Sequence, residues 1–522
     1  MKTNLRIPGV SMTRRSFLKA SAALFYLAWQ KTAHAGPVVR RPALSDYPFR
    51  LGVASGDPDH HSVVLWTRLA PRPLEGGGMP QEPVEVRWEV ASDESFRHIV
   101  RKGTVVADPA WAHSAHVEVT GLKPDRWYWY RFIVGLDASP IGRTRTAPAP
   151  THEPRLLRFA FASCQHYEQG LYTAYEHMVR ENLDFIIHLG DYIYEDGVTR
   201  NAIRQHDGPE VFTLGQYRNR YALYKSDPAL QAAHAAAPWI VTWDDHEVDN
   251  NYAGMIPEGR SAAILPFAER RAHAYKAYFE HMPLRPSARP NGPWLPLHRR
   301  LSFGRLLQLF VLDTRQYRTD QPCGDGRKAP CPEVLDPRAT LLGSAQRQWL
   351  MTALEQSRAR WNALAQQIMM ARVDREPGPG EAYSMDQWPG YEFERRTLLN
   401  HIARLSRMNT VVLTGDIHSH WANELPASQD TDATCAAVEF VGSSISSGGD
   451  GTPRPSYLDG LRAENPFVKF HNARRGYVTC EVSPREWRTH FRVLDFVTKP
   501  GSRCSTAASF VVLRGQPRLH PA

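Results

Sequence analysis

The most constraining feature of this chain is a repeated arrangement in which short apolar segments end in acidic, cysteine or histidine side chains. Such segments predict strands, which we place at Leu157–Ser163, Leu183–Leu189, Trp239–Trp243, Leu306–Leu312, Thr410–Thr414 and Val438–Val441. Polar groups that suit chemistry follow five of them, in Ser163-Cys164-Gln165, Gly190-Asp191-Tyr192-Ile193-Tyr194-Glu195, Trp243-Asp244-Asp245-His246-Glu247, Asp313-Thr314-Arg315 and Gly415-Asp416-Ile417-His418-Ser419-His420. Active sites of layered α/β domains form at the carboxyl ends of strands. The repetition therefore predicts one site built from several strand ends.

Helical stretches separate these strands, at Leu171–Asn182, Ala268–Met282, Ala345–Arg360 and Phe393–Arg407. Alternation of strands and helices predicts an α/β-layered domain over residues 155–500. Residues 501–522 follow as a predicted C-terminal tail, which either covers the pocket or packs on the surface.

The preceding residues, 36–147, are β-rich. Period-two alternation over Val84–Val90 predicts a strand, and further strands are expected at Ser62–Thr67 and Trp127–Phe132. The segment Gly121–Pro124, which precedes Tyr128, looks like the corner of a fibronectin type III-like sandwich. Because this region carries no chemical cluster, we expect it to have a structural or positioning role.

The excess of positive charge lies mainly at the N-terminus. The first 35 residues include six basic side chains and no acid, and without them the formal net charge falls from +9 to about +3. No basic arm with interleaved aromatic residues is present, so nucleic-acid binding is not expected. Residues Thr13–Lys19 resemble the twin-arginine export motif, a short apolar stretch follows, and Ala33-His34-Ala35 fits a cleavage site.

We therefore predict a signal peptide over residues 1–35, the twin-arginine translocon as an export partner, and a periplasmic or secreted location. The apolar stretch Ala20–Trp29 is shorter than the about 20 residues that span a bilayer. The mature protein is expected to begin near Gly36, to lack a membrane span and to be monomeric.

Six cysteines are present. Cys323 and Cys331 bracket a loop containing Gly and Pro, and a disulfide between them could staple it, since exported proteins keep disulfides. Any pairing among Cys435, Cys480 and Cys504 leaves one thiol over.

The polar set at the strand ends suits metal-assisted hydrolysis of a phosphate ester. Two cations roughly 3.5–4 Å apart clamp the phosphoryl oxygens and lower the pKa of a bound water. One carboxylate must bridge the ions, other acids and a histidine complete their shells, and a remaining group protonates the leaving group. A glycine before an acid keeps the turn tight, so that the carboxylate faces the ions.

Four segments, Phe161–Gln165, Gly190–Glu195, Trp243–Glu247 and Leu413–His418, resemble the alkaline phosphatase D family, a branch of the calcineurin-like, purple-acid-phosphatase-like metallophosphatases. The resemblance extends over nearly the whole mature chain, including Gly52–Pro58, Ser384–Trp388 and Val441–Ser444. It implies an exported alkaline phosphatase or phosphodiesterase that uses a metal-bound hydroxide at an iron–calcium site. The implied fold is α+β, with a fibronectin type III-like sandwich before a metallophosphatase domain of two β-sheets flanked by helices.

The resemblance also implies the iron ligands. Asp191 matches the carboxylate that bridges iron and calcium, and Tyr194, Cys164 and His418 match the phenolate, thiolate and imidazole ligands of iron. Phenolate and thiolate donors favour Fe3+, and a shell of carboxylates favours Ca2+ or Mg2+. Histidines with a cysteine are also compatible with zinc. Zn2+, Mn2+ and Mg2+ therefore stay as alternatives.

On the calcium side, the resemblance implies that Asp245 and Asp416 face the ion and that His246 is aimed at the leaving group. Asn250 and Asn251 are candidate carbonyl ligands of calcium. Arg315 is expected either to hold the acids of the site or to bind phosphate, with a plain salt bridge as the alternative. The catalytic candidates are therefore His246, Asp245 and Arg315.

Other classes of protein explain the sequence less well. A non-catalytic periplasmic binder of phosphorylated ligands would not need the Asp245-His246 pair. A non-haem iron oxygenase uses two histidines and one carboxylate without a calcium shell, and a serine hydrolase needs a Gly-x-Ser-x-Gly turn after a strand, which is missing. The choice between phosphate monoesters and diesters stays open.

Overall fold

The computed structural model describes residues 37–259, 264–405, 409–427 and 435–522. The predicted signal peptide, residues 1–35, lies outside the described residues. Within the described ranges, no helix combines the length and the apolar character that crossing a membrane requires.

The N-terminal region contains β1 (Val53–Gly56), β2 (Ser62–Arg68), β3 (Val84–Ala91), β4 (Ile99–Ala107), β5 (Ser114–Thr120), β6 (Trp127–Val134), β7 (Asp137–Ala138) and β8 (Gly142–Arg145). Strands β1, β2 and β5 lie in one sheet, and β4, β3, β6 and β7 in another, with β8 paired to β6. Both sheets contribute to one buried core, which includes Val63, Leu65, Val86 and Phe132. At the predicted corner, the Lys123 N–H donates to the Tyr128 hydroxyl at 2.9 Å.

A ten-stranded sheet runs through the middle of the molecule. Its centre is formed by the parallel strands β9 (Leu157–Ala162), β10 (Phe185–His188) and β11 (Trp239–Val241). Strand β1 pairs with β11, so the N-terminal strands β1, β2 and β5 extend this same sheet. The predicted strands here are confirmed, because each is an apolar run buried on both faces, as parallel strands are.

The other side of this sheet ends in β21 (Gly476–Val482), β22 (Glu486–Leu494), β23 (Cys504–Leu513) and β24 (Gln516–Pro521). Residues 501–522 are therefore not an appended tail, as the sequence suggested, because β23 and β24 form the edge of the sheet. The reason is burial, since Phe510, Val512 and Leu519 pack into the core between the two large sheets.

A seven-stranded sheet faces the first one. It contains β12 (Arg299–Phe303), β13 (Leu307–Val311), β15 (Trp361–Ala365), β17 (Asn409–Thr414), β18 (His420–Pro426), β19 (Cys435–Val441) and β20 (Val468–Asn472), and β13, β15, β17 and β19 run parallel. Phe161, Ile187, Leu309 and Leu413 belong to the core that the two sheets share. A small hairpin pairs β14 (Arg327–Lys328) with β16 (Tyr383–Ser384).

The described α-helices are α1 (Thr173–Met178), α2 (Leu214–Lys225), α3 (Pro228–Ala236), α4 (Phe267–His281), α5 (Gly343–Gln356), α6 (Glu392–Arg404) and α7 (Leu458–Glu464). Helices α1 to α4 share a core with the ten-stranded sheet, and α5 and α6 share one with the seven-stranded sheet. The result is a mixed α/β architecture in which helices cover the outer faces of two sheets, as predicted. The disulfide between Cys323 and Cys331 is present.

Helices α2 and α3 were not predicted. Helix α2 buries tyrosines together with the charged side chain of Arg220. Polar and apolar residues therefore do not fall on separate faces of the helix, and the sequence lacks the usual helical pattern. The clearest local signal is the capping box of Thr213 and Gln216. Helix α1 is also shorter than predicted, ending at Met178.

Candidate metal centre

The carboxyl ends of the central strands of both sheets meet at one place. Cys164, Asp191 and Asp245 follow β9, β10 and β11, which are adjacent and parallel in the first sheet. Asp416 follows β17 of the second sheet. An isolated bridge between Ser163 and Ser444 connects the ends of β9 and β19 across the two sheets. This shared edge explains how segments far apart in sequence form one site.

The turns that carry the predicted ligands have an unusual backbone. Cys164, Asp191, Asp416 and His418 all have positive φ, between 50° and 64°. This left-handed conformation is uncommon for residues other than glycine and is found preferentially at functional sites. We infer that the surrounding structure holds these four side chains in directions that a relaxed strand end would not give.

The glycine that precedes each acid is required sterically. A Cβ on Gly190 would lie 2.5 Å from the Cβ of Asp244, and Gly190 also has a φ of +111°. A Cβ on Gly415 would lie 2.6 Å from the Ser163 hydroxyl oxygen. The two Gly-Asp turns are therefore packed too closely for any side chain, which agrees with the role inferred from the sequence.

Donor atoms of the predicted ligands converge in two overlapping groups. Candidate ligand atoms of Cys164, Asp191 and His418 all lie within 4.8 Å of one another, and so do those of Asp191, Asp245 and His246. Asp191 belongs to both groups. This is the arrangement expected of a carboxylate that bridges two neighbouring ions.

Tyr194 joins the first group through its hydroxyl. Its oxygen lies 3.0 Å from Asp191 Oδ2 and 3.2 Å from His418 Nε2. The Ser447 hydroxyl donates to the same oxygen at 2.8 Å. Burial is the main cause that raises the pKa of Tyr194 well above its ordinary value, followed by the charge of Asp191. A phenol, a thiol, an imidazole and a carboxylate therefore lie close to one another in the first group.

The acids of the site are buried without enough positive charge. Asp191 Oδ1, Asp244 Oδ2 and Asp245 Oδ1 are buried oxygens with no hydrogen-bond donor within the described part of the chain. Burial raises the pKa of Asp191 well above its ordinary value, while His246 opposes the shift. Burial, reinforced by Asp191, also raises the pKa of the Cys164 thiol. Because buried carboxylates are costly unless paired with a cation, these residues fit a metal centre.

Asp416 lies at the same centre. Burial, followed by the charge of Asp245, raises the pKa of Asp416 to about 6. The amide of Gln387 donates to Asp416 Oδ2. Burial lowers the pKa of His418 to about 3, which keeps its imidazole neutral and able to bind a metal.

His246 is held by an acid that sequence reasoning left without a role. Its Nδ1 lies 2.7 Å from Glu195 Oε2, and its side chain is 16% exposed while that of Glu195 is 3% exposed. Burial acts to lower the pKa of His246, but the charges of Glu195, Asp245 and Asp191 outweigh it and raise that pKa well above its ordinary value. Glu195 therefore orients the His246 imidazole at the edge of the acidic centre.

Arg315 is fully enclosed by carboxylates. Its Nε donates to Asp244 Oδ1 at 2.5 Å, and its two terminal nitrogens donate to Asp386 at 2.9 Å each. Asp245 Oδ1 lies 3.5 Å from Nη2. Holding the acids agrees with these contacts better than binding phosphate, because each of the three guanidinium nitrogens already donates to a carboxylate.

Asn250 is not directed at the acidic centre. Its side-chain amide donates to Glu258, and its backbone N–H donates to Glu195 Oε1 at 2.7 Å. The neighbouring Asn251 is closer, because its backbone N–H donates to Asp245 Oδ2 at 2.8 Å. The geometry therefore gives no support to the Asn250 side chain as a calcium ligand.

Sequence reasoning also missed residues that support the ligands. The carboxylate of Glu247 accepts hydrogen bonds from the backbone N–H groups of Asp191, Tyr192 and Asp244, at 3.1, 2.7 and 2.8 Å. It thereby fixes the turns after β10 and β11 together. The available signal was the acid at the end of the Asp-Asp-His-Glu segment. An acidic side chain next to a turn can accept hydrogen bonds from backbone N–H groups.

Comparisons with known proteins agree with this picture. The family model of the PhoD-like phosphatases matches residues 159–491, and that of their N-terminal domain matches residues 32–148. Alkaline phosphatase D of Bacillus subtilis (strain 168) is 51% identical over 516 residues, which cover 97% of this chain and 88% of that protein. A solved structure of PhoD has a TM-score of 0.90 and 52% identity, covering 92% of this chain and 93% of that one.

Proposed function

Because this chain belongs to the PhoD-like phosphatase family, it is a phosphoric ester hydrolase, and we propose that it works with Fe3+ and Ca2+. This family membership sets aside the alternative of a non-catalytic binder. Phosphate monoesters and diesters both remain candidate substrates of the proposed site.

The observation that carries the metal assignment is the separation of donor types around Asp191. Cys164, Tyr194 and His418 cluster with Asp191 in one group of donors, and Asp245 clusters with Asp191 in the other. Phenolate and thiolate donors together favour ferric iron, and carboxylates favour calcium. We therefore assign the first three residues to iron, Asp245 and Asp416 to calcium, and Asp191 to both.

When bound, such ions neutralise the phosphoryl oxygens and lower the pKa of a water molecule. The chain's own contribution is proton placement. Glu195 binds His246 at Nδ1, which leaves Nε2 free to give a proton to the departing alkoxide oxygen. Arg315 contacts Asp244 and Asp245 and so orients both carboxylates, and its charge helps to lower the pKa of Asp245.

The iron assignment is tested by colour and elemental analysis. Ferric iron bound to a phenolate or thiolate absorbs visible light, so the purified protein should be coloured and contain iron. Tyr194→Phe and Cys164→Ser should each change the band and lower the iron content. Matched controls are Tyr192→Phe, whose hydroxyl contacts His234, and Cys480→Ser, which is buried beside Thr489. A colourless, iron-free protein with full activity would refute the assignment.

The calcium assignment is tested by removing calcium selectively with EGTA. We expect activity to fall and the visible band to persist, because the iron ligands are untouched. Added Ca2+ should restore activity better than Zn2+, Mn2+ or Mg2+. Full activity in EGTA, or preferential rescue by another ion, would contradict the assignment. The same preparations, assayed with p-nitrophenyl phosphate and bis(p-nitrophenyl) phosphate, compare monoester with diester hydrolysis.

We further propose export through the twin-arginine translocon to a periplasmic or secreted location, on the strength of Arg14 and Arg15. Replacing both arginines with lysine should leave the full-length precursor in the cytoplasm. A mature protein that still appears outside the cytoplasm would contradict this route.

We also propose that the N-terminal sheets form a fibronectin type III-like sandwich without catalytic groups. Their shared core and the contact between Tyr128 and Lys123 support this assignment. An experimental structure with a different strand order would contradict it.

A further inference from the structure

A buried serine connects two of the proposed iron ligands. Ser447 follows β19 and has no exposed surface. Its hydroxyl oxygen lies 2.8 Å from the carbonyl oxygen of Cys164 and 2.8 Å from the hydroxyl oxygen of Tyr194. It also accepts the backbone N–H of His166 at 3.1 Å. One side chain therefore contacts the segments that carry the thiolate and the phenolate.

The hydrogen bond between Ser447 and Tyr194 depends on whether the Tyr194 hydroxyl is protonated. A serine hydroxyl has one hydrogen to donate and two lone pairs. The Cys164 carbonyl can only accept, whereas a protonated Tyr194 can donate or accept. A phenolate can only accept, and a hydrogen bond to an anionic oxygen is roughly twice as strong as a neutral one. The Ser447 hydrogen therefore favours Tyr194 once that side chain has lost its proton.

The backbone around Ser447 is fixed by a buried arginine. Arg475 Nη1 donates to the Ser444 hydroxyl at 2.8 Å and also to the Ser447 carbonyl. The Ser444 hydroxyl donates to the same carbonyl at 2.6 Å. Arg475 is only 4% exposed. With its main chain held in this way, the Ser447 hydroxyl cannot easily move away from Tyr194.

We propose that Ser447 is a positioning residue, which donates a hydrogen bond to the Tyr194 phenolate and holds it beside Cys164 as an iron ligand. The inference rests on the proposed iron site. It adds a role for a side chain that the family motifs around β9, β10, β11 and β17 do not include. Stabilising a phenolate makes it a weaker electron donor, so this hydrogen bond should be visible in the colour of the bound iron.

The test compares Ser447→Ala with Ser446→Ala. Ser446 is an equally buried neighbour whose hydroxyl donates to the His166 carbonyl at 2.9 Å, and no contact joins it to Tyr194 within the described part of the chain. Ser447→Ala should move the visible band to longer wavelength and weaken iron binding about 10-fold to 100-fold, as loss of a group supporting a metal ligand does. Ser446→Ala should leave the band in place, and Ser447→Thr should restore it.

A second measurement needs no variant. Resonance Raman spectra of the wild-type holoenzyme, excited in the visible band, should show tyrosinate vibrations that shift between H2O and D2O. The inference is overturned if wild-type protein is coloured but Ser447→Ala has the same band, or if the tyrosinate vibrations do not shift in D2O. Either result leaves the proposed iron site intact. Wild-type protein without iron or colour refutes the proposed iron site itself, and the inference falls with it.

Discussion

Two groups of buried carboxylates lie side by side in this molecule, and they differ in whether arginine side chains neutralise their charge. In the arginine-paired group, Asp386 accepts hydrogen bonds from Arg315 and Gln321 and lies 3.0 Å from an Arg318 nitrogen. Although burial opposes it, the charge of Arg315 holds the pKa of Asp386 well below its ordinary value. The protein supplies the positive charge here.

The metal-facing group is formed by Asp191, Asp245 and Asp416. Here the protein supplies too few cationic side chains to neutralise the carboxylates. Asp191 and Asp416 both have raised pKa values, with burial as the main cause. Asp245 differs, because Arg315 and His246 outweigh burial and lower its pKa. The comparison teaches that an aspartate is a stabilising partner at Asp386, whereas at Asp191 and Asp416 its ionised form is a cost to folding until a cation binds.

The largest effect should come from Asp191→Asn. We expect a loss of more than about 1000-fold in kcat together with loss of bound metal, because this side chain belongs to both donor groups. The metal-free variant should be at least as stable as metal-free wild type, since a buried charge has been removed. Activity assays, elemental analysis and urea unfolding measure the three quantities. Retained turnover with normal metal content would exclude a bridging role.

Asp386→Asn should act on stability in the opposite direction. Removing this charge leaves Arg315 and Arg318 buried without their shared partner, which costs about 3–5 kcal/mol of unfolding free energy. Urea unfolding of the metal-free variant against metal-free wild type gives the difference without a contribution from metal binding. An Asp386→Asn variant as stable as wild type would remove the distinction between the two groups.

In the metal-free protein, Asp416 should stabilise the fold less as the pH rises, and an Asp416→Asn variant isolates this contribution because buried histidines such as His418 act in the opposite direction. Asp416 titrates near pH 6 when folded and near its ordinary value of 3.8 when unfolded. Between these values the folded state holds more protons, so the unfolding free energy falls as pH increases, by about 3 kcal/mol for this group. Asp191 should extend the decline to higher pH. Urea unfolding of wild type and of Asp416→Asn at pH 4.5, 6 and 7.5 after chelation measures the Asp416 contribution as the difference between the two proteins.

Restoring calcium should remove that decline, because the bound cation favours the ionised carboxylates. The lowered pKa of Asp386 has the opposite effect on how stability depends on pH. Its stabilisation is present above the ordinary pKa of an aspartate and is lost only in stronger acid. A stability difference between metal-free wild type and Asp416→Asn that does not change from pH 4.5 to 7.5 would contradict the interpretation of the metal-facing group.

The smallest effect is expected for Glu195→Gln. Without the carboxylate, His246 loses its main anionic partner and holds its proton less strongly. We expect kcat to fall about 10-fold to 100-fold for alkyl phosphate esters, whose leaving group needs a proton. Esters of p-nitrophenol, which leaves as a stable anion, should be affected less. Equal losses for both substrates would show that Glu195 acts on the metals instead of on His246.

Much of the fold was predictable because its central strands are short apolar runs. The predicted strand Leu306–Leu312 is observed as Leu307–Val311, and Thr410–Thr414 as Asn409–Thr414. The C-terminal strand β23 was missed. Its first half is small and polar and lies partly exposed, so its place in the sheet depends on pairing with β22, which no local pattern reveals.

The sequence by itself determined which residue types stand at the strand ends, because a strand period and a Gly-Asp turn are local properties. It thus indicated Cys164, Asp191 and His418 as neighbours through the edge rule for parallel strands. Only the tertiary structure decided which oxygens stay unpaired, that Arg315 is paired with buried acids, and that the Ser447 hydroxyl contacts Tyr194. Those outcomes depend on the packing of two sheets against each other, and chain order does not encode distances of a few ångströms between segments more than 200 residues apart.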